Sequence, residues 1–549
     1  MLHQVVCNMP GRRAAPRPSR RRCGGGAARD AIMNDAMLRF LIVCGMLWGG
    51  TARAGDLWEL ARSQRHVHRF STLFTAQDVR DRLSSEQGLA EAIDWAKKTA
   101  ITKVYLETFR NGYQAERPAL LSAKRRFEEA GFDVSGCVTT TRIGKISTGW
   151  NLISCYTARS TQDQLQAIFE YTAGLFDEIM IDDFWFTDCA CEECETARKA
   201  RRVRIGEESY PVSGDTWEDY RSELMVQVSR RRVLGAAKRV NPKARLIIKY
   251  PQWYDRFHER GYDVARQTAD FDLIWVGTET RDRDKKGVPQ YEAYFIMRWL
   301  GSIGGPKTGG GWYDPLSTTE RTYLEQARQT VLAGARESML FCYGALLRNT
   351  GPANIAALRP QIPELLKAAA EVRRRQITGI ATYKPPSSHP EKELYVFDYA
   401  GMLGLPLAPG HEFPANAPAA FFSIHALKDP EFAAGLTRFI RSRRPVLLTD
   451  GLAEGLRGRV NLAAPNVRVL PVSGDPKTLL KLSQEELDRL RAPLLQPFKA
   501  SFSAPNEVSL CLFKDGSWVV QNFNDAEVTV ELNRQRFQVP ARGWVQRWR

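Results

Sequence analysis

Five carboxylates stand within or just beyond short β-rich runs of the sequence: Glu107 in KVYLET, Asp182 and Asp183 in EIMIDDFWF, Glu279 in FDLIWVGTE, and Asp314 after KTGGGWY. Paired carboxylates can divide the labour of cleaving an acetal. One protonates the leaving oxygen while the other attacks the anomeric carbon or activates water. Trp185, Arg110, Lys249, Tyr250, Gln252, Trp253, Trp275, Trp312 and Tyr343 fall near the same run ends. Rings suit the apolar face of a pyranose, and amide or basic groups suit its hydroxyls. These residues are therefore the candidate substrate-binding set for glycosidic bond hydrolysis, with Asp183 and Glu279 as the leading catalytic pair. Asp182 and Glu107 are further candidates, and Asp314 is weaker because GWYDP reads as a turn.

Adjacent strand residues point to opposite faces, so only one of Asp182 and Asp183 is expected to face inward. The reading favours Asp183 inside as nucleophile or base, with Asp182 behind it. The bland alternatives are a loop-capping Asp-Asp turn, and for Glu279 a salt bridge to Arg281 or Arg283. Directly after this strand, Cys189, Cys191 and Cys194 form C-A-C-E-E-C. That spacing suits metal thiolates and is awkward for disulfides. A structural zinc would need a fourth ligand, from Asp188, Cys155 or Cys137; one disulfide with a free thiol is the alternative. No catalytic cofactor is expected.

The elements that must position these side chains repeat in order. Eight β-rich runs between 68 and 344 alternate with amphipathic stretches such as GLAEAIDWAKKTA and PALLSAKRRFEEAG. Pro118 falls in a first turn, Gly131 and Gly334 fall where helices should end, and Asp215 or Thr216 can cap the long helix that follows. The pattern predicts an α/β fold: a (β/α)8 TIM barrel, in which the loops after the strands form one functional rim. An open doubly wound sheet is the runner-up, but no glycine-rich phosphate fingerprint follows the first strand. After YKPPSSHPEKE a smaller α/β domain is expected, then a small C-terminal β-sandwich with turns at Asp515-Gly516 and Asn524-Asp525. The expected boundaries are 1–54 for an N-terminal extension and signal, 55–378 for the barrel, 379–480 for the middle domain and 481–549 for the β domain.

With 549 residues and 43% hydrophobic content the chain is long enough for several cores. The formal charge of +16 resembles a nucleic-acid signature, yet residues 1–54 hold nine Arg against two Asp, and the +9 of the remainder is dispersed. No nucleic-acid motif accompanies it, so no nucleic-acid partner is expected. MLRFLIVCGMLWGGTARAG reads as a secretory signal cleaved after Ala54. An exported protein without a membrane span follows, periplasmic or extracellular, with a homo-oligomer through the middle domain left open.

D-D-F at the fourth strand with C-x-C-x-x-C behind it resembles bacterial barrel-type glycoside hydrolases. FDYAGMLGLPLAP and RPVLLTDGLAEG resemble the middle domain of the family forty-two beta-galactosidases, and LCLFKDGSWVVQNFNDAEVTV resembles their terminal β-domain. The resemblance implies a zinc-binding cluster that Cys189, Cys191 and Cys194 partly reproduce. It departs at the chemistry: that family carries Asn-Glu at the fourth strand and Glu at the seventh, where this chain has Asp182-Asp183 and GGGWYD. An Asp at strand four with a partner at strand six is more similar to alpha-galactosidases and fucosidases. Two rivals stand beside a glycosidase: a non-catalytic carbohydrate-binding or surface-assembly protein on the same scaffold, and a metal-dependent deacetylase or amidase. The second is poorly supplied, since no H-x-H pair occurs at a strand end.

Overall fold

A computed structural model describes residues 54–281 and 289–549; the expected signal sequence lies outside the described residues. Eight parallel strands close into a barrel: β1 Arg69–Phe74, β2 Ile101–Arg110, β3 Asp133–Val138, β4 Glu178–Ile181, β5 Arg245–Tyr250, β6 Leu273–Gly277, β7 Thr308–Tyr313 and β8 Glu337–Leu340. Each pairs with its neighbour in chain order, and β1 pairs with both β2 and β8, which closes the ring. The strands match the eight β-rich runs closely, with one consequential exception. β4 ends at Ile181, so Asp183, Phe184 and Trp185 belong to a loop and not to the strand.

The helices begin and end where local chemistry requires. Thr216 accepts from the Asp219 amide and caps the long helix in a capping box, Pro118 lies in the first turn of Arg117–Glu129, and Gly131 and Gly334 take left-handed φ of 92° and 90° after helix ends. The helix after β4 contains a π-turn at Ser229–Leu234, and the Ser229 hydroxyl accepts the Trp185 indole N–H at 2.9 Å.

One residue from every strand fills the barrel interior: Leu73, Tyr105, Cys137, Met180, Ile247, Trp275, Trp312 and Met339. The run Gly309-Gly310 in β7 makes room for Trp275, since a Cβ on Gly309 would stand 2.1 Å from its ring. This layer fixes the register, because strand alternation sends the residue two places onward to the same face, nearer the C-terminal rim.

Beyond the barrel, β9 Ile380–Tyr383, β10 Leu407–Gly410, β11 Ala420–Phe422, β12 Val446–Thr449 and β13 Val467–Leu470 form a parallel sheet in the order β10-β9-β11-β12-β13. Its strand ends meet the barrel loop after β5. The buried Asp255 accepts from the Tyr395 amide at 2.8 Å and lies 2.9 Å from His425 Nε2. Two further sheets, of four and three strands, share a core at the C-terminal end. Ile377–Thr378, ahead of the middle sheet, pairs with Leu512–Phe513 and so belongs to the terminal sheet. Gly516, with φ of 87°, makes the expected hairpin turn, whereas Asn524-Asp525 leads from one sheet to the other. No helix among the described residues is long and apolar enough to cross a membrane.

Candidate active site

The residue two places beyond the interior layer supplies most of the rim: Glu107 after Tyr105, Thr139 after Cys137, Asp182 after Met180, Lys249 after Ile247, Asp314 after Trp312 and Phe341 after Met339. Glu279 arrives four places after Trp275, past Gly277. The register thus puts Asp182 inside, correcting the expectation that Asp183 would be the inward strand residue. Asp183 reaches the same space because β4 has ended and the following turn swings its carboxylate across to β5.

The two aspartates have different surroundings. Asp182 is 1% exposed. Its Oδ2 accepts from Arg110 at 2.8 Å and from Thr139 at 2.7 Å, and its Oδ1 accepts from the Asp183 amide at 2.7 Å. Glu107 is fully buried and equally engaged: it accepts from the Ala76 amide and Arg110 Nε, both at 2.8 Å, and from the Thr139 hydroxyl. One hydroxyl between two carboxyl groups has a single proton to give, which favours a proton on one of them. Burial and repulsion from Asp183 push Asp182 up to about 7. Both groups are saturated anchors and present no free oxygen to a substrate, so the catalytic candidacy of Asp182 and Glu107 is not matched by their geometry.

Asp183 and Glu279 are linked instead through Lys249. The fully buried ammonium donates to Asp183 Oδ2 at 2.6 Å and to Glu279 Oε1 at 2.7 Å. It also lies 4.6 Å from the Trp312 ring centre. The Asp183 side chain is 22% exposed. Burial opposes its ionisation, but Lys249 and the Asp182 hydrogen bond hold it below the ordinary aspartate value. Glu279 is 3% exposed, and its Oε2 has no hydrogen-bond partner among the described residues. Burial pushes it up to about 7, with Asp183 and Asp314 adding repulsion and Lys249 opposing. Burial works against the charge on Lys249, yet the two carboxylates outweigh it and keep the ammonium protonated. Of the two arginines expected as salt-bridge partners for Glu279, Arg281 pairs with Asp314 at 2.5 Å, and Arg283 lies outside the described residues.

The aromatic candidates divide by the same register. Trp312 and Trp275 are interior residues. Trp185 is fully buried against Tyr156 and Ser229, packed on the helix side and unable to offer a face to a ligand. Tyr250 points outward between the inward residues of β5, its hydroxyl 3.0 Å from Thr268. Tyr343 packs on Phe74 and Trp95. Among these tryptophans Trp253 is half-buried, as is Gln252. Sequence reasoning missed Phe341, half-buried at the end of β8, stacked on Trp312 at 4.9 Å and covered by the Arg110 guanidinium at 5.6 Å. It also missed Trp150 and Phe184, half-buried rings 5.6 Å apart in the loops after β3 and β4. Position directly after a strand was the available signal for Phe341; Trp150 sits in a long loop and carried none.

The cysteines gather with Cys155, whose Sγ lies 3.8 Å from Cys191 and 3.5 Å from Cys194, while Cys191 and Cys194 are 3.7 Å apart. The ligand atoms of Cys155, Cys189, Cys191 and Cys194 all lie within 4.8 Å of one another. Tetrahedral thiolate ligation at about 2.3 Å separates sulfurs by roughly 3.8 Å, so the set fits a zinc ion. Asp188 does not join it: its carboxylate accepts from Ser147 at 2.6 Å and the Trp150 amide at 2.9 Å. Cys137 is in the barrel interior.

A closed parallel barrel with carboxylates on its C-terminal rim is an arrangement that glycosidases share with other barrel enzymes. Residues 55–357 match the family model described as "Probable glycosyl hydrolase, catalytic domain". The chain belongs to this family of glycosyl hydrolases. The uncharacterized protein SSO3021 of Saccharolobus solfataricus is 26% identical over 347 residues, which is 59% of this chain and 57% of that protein, so the match spans little more than half of either. Two solved structures share the fold. Gan42B, a GH42 beta-galactosidase from G. stearothermophilus, superposes with a TM-score of 0.58 at 9% identity over 88% of this chain and 98% of its own. Alpha-L-fucosidase isoenzyme 2 from Paenibacillus thiaminolyticus superposes with a TM-score of 0.59 at 8% identity over 87% and 98%.

Proposed function

We propose that the protein is an exported glycosidase that cleaves O-glycosidic bonds of an oligo- or polysaccharide with retention, Asp183 acting as nucleophile and Glu279 as acid/base. The observation that carries this is the shared ammonium. Asp183 Oδ2 and Glu279 Oε1 can be no farther apart than the 2.6 Å and 2.7 Å bonds to Lys249 laid end to end. Retaining enzymes hold their carboxyl groups about 5–5.5 Å apart and inverting enzymes about 6.5–9.5 Å, and two carboxylates that share one ammonium favour the shorter spacing. The protonation states support the same assignment. A carboxylate kept ionised by Lys249 can attack the anomeric carbon, and a carboxyl group raised to about 7 can give its proton to the leaving oxygen. Once that proton is transferred, Glu279 is the base that activates water against the glycosyl-aspartate. Arg110 and Thr139 act through Asp182, whose Oδ1 takes the Asp183 amide and sets where the nucleophile stands.

Cys155, Cys189, Cys191 and Cys194 would hold a zinc ion in a closed four-thiolate site, which supplies structure and not a reactive metal position. Export rests on MLRFLIVCGMLWGGTARAG alone. The test is a panel of aryl glycosides assayed with the wild type, Asp183→Asn and Glu279→Gln. Each variant should lose at least about 10²-fold in kcat on the substrate the wild type cleaves. Full activity in both variants refutes the pair. No hydrolysis of any substrate, with saccharide binding retained, returns the non-catalytic reading.

A further inference from the structure

We infer that the middle domain carries a second, non-catalytic site for an acidic saccharide, in the hollow at the N-terminal ends of β12 and β13. The hollow encloses about 770 Å³ and is lined by Arg441, Arg443 and Arg468, with no carboxylate and no aromatic ring on its walls. Pockets of about 300–1,000 Å³ suit small ligands. The catalytic rim is elsewhere: the middle sheet meets the barrel at the opposite strand ends, through Lys384 after β9 and His425 after β11, both against Asp255.

The charge in the hollow is uncompensated. None of the three guanidinium groups has a carboxylate within ion-pair distance among the described residues, although exposed arginines elsewhere, such as Arg159 and Arg457, are paired. Arg441 closes the helix Phe432–Arg441, where a cation offsets the helix dipole. That account does not extend to the other two. Arg443 holds a left-handed φ of 59° in the turn before β12, a position that favours glycine. Arg468 projects from β13, folded onto the Pro465 and Val467 carbonyls at 2.8 and 3.0 Å.

The rest of the lining narrows the ligand. With no ring to stack on, a nucleobase gains nothing. The side chains of Asn461 and Gln496 are placed for hydroxyl groups, Asn466 ties the floor by donating to the Ile440 and Arg444 carbonyls at 3.1 and 2.7 Å, and Pro445, Pro465 and Pro493 give a rigid apolar rim. Guanidinium forks beside amides suit a carboxylate or sulfate borne on a sugar ring. The sugar part of this assignment rests on the glycosidase reading; the anion part does not.

Calorimetric titration of the full chain with trigalacturonate, and in parallel with a sulfated chondroitin disaccharide, tests it. One or both should bind, more weakly as salt is raised, and the Arg441→Ser/Arg443→Ser and Arg468→Ser variants should each lose at least about tenfold in affinity. Asp183→Asn should bind as the wild type does, and the arginine variants should keep glycosidase activity. The proposal is overturned by binding that survives in the arginine variants, by maltotriose or inorganic phosphate binding equally well, or by no binding at all. Binding abolished by Asp183→Asn would assign the saccharide to the catalytic rim, overturning the second site while leaving the glycosidase reading intact.

Discussion

Lys249 Nζ bridges Asp183 and Glu279, donating to an oxygen of each at 2.6 and 2.7 Å from a fully buried position. One cation between two carboxylates lowers the proton affinity of both. Glu279 Oε2 has no other partner among the described residues, and of the two carboxyl groups Glu279 is the one raised enough to be protonated near neutrality.

Lys249→Met should therefore move the pH profile of kcat/KM toward alkaline pH. The acid limb reports ionisation of Asp183 and the basic limb loss of the Glu279 proton, and removing the ammonium raises both values. An opposite charge at this distance is worth about 1–3 units, so a shift of at least about one unit is expected in both limbs. An unchanged or acid-shifted profile would show that Lys249 does not set either ionisation.

Asp182→Asn should alter how stability depends on pH. Asp182 in the fold titrates at about 7, against about 3.9 for an unperturbed aspartate. A carboxyl group raised in the folded state contributes stability that is complete below its unfolded value and is lost as pH climbs through its folded value. The wild type loses that share between about pH 4 and 7, and asparagine has no such share to lose. The melting temperature of the variant minus that of the wild type should thus increase from pH 5 to pH 8, whatever constant offset the loss of the Arg110 pairing adds. Parallel curves would mean Asp182 is not held protonated by its surroundings.

The barrel was legible because its signals are local: eight β-rich runs, caps such as Thr216, and left-handed glycines at helix ends. The register was not. In parallel barrel strands both faces are apolar, so Ile179 and Ile181 look as suitable for the interior as Met180, and the choice between Asp182 and Asp183 could not be read from alternation. The early end of β4, which brings both aspartates to one space, depends on the ring and not on the strand. Glu279 and Lys249 were legible as strand-end residues, but their meeting through one ammonium joins residues 30 apart. Cys155 lies 39 residues from Cys194 and was only one of three options for completing the cluster.

The cluster makes a prediction of its own. Purified wild type should carry about one equivalent of zinc per chain, measured by mass spectrometry of the digested protein. Cys155→Ser, which removes a sulfur 3.5 Å from that of Cys194, should retain a small fraction of that, and its melting temperature should fall by several degrees as the loops after β3 and β4 lose their link. Wild-type protein free of metal, or a variant that retains a full equivalent, would discard the zinc assignment.

The same two loops carry the half-buried rings beside Asp183. Asp188 accepts the Trp150 amide and pairs with Arg260 at 3.4 Å, and the Arg260 guanidinium lies 5.8 Å from the Trp253 ring centre, so one carboxylate braces both sides of the platform. The Trp150 indole N–H is buried and has no hydrogen-bond partner among the described residues, so it is the half-buried ring that is left for a sugar. Stacking of this kind is worth about 0.5–1.5 kcal/mol beyond buried area, or roughly twofold to twelvefold in affinity. Trp150→Ala and Trp253→Ala should raise KM by that factor and leave kcat nearly unchanged, because the side-chain hydrogen bonds of Asp183 and Glu279 run to Lys249 and not to these rings. Asp188→Asn should reproduce the rise in KM without removing a ring. A fall in kcat with KM constant would place these residues in the chemical step and remove the platform from the account of binding.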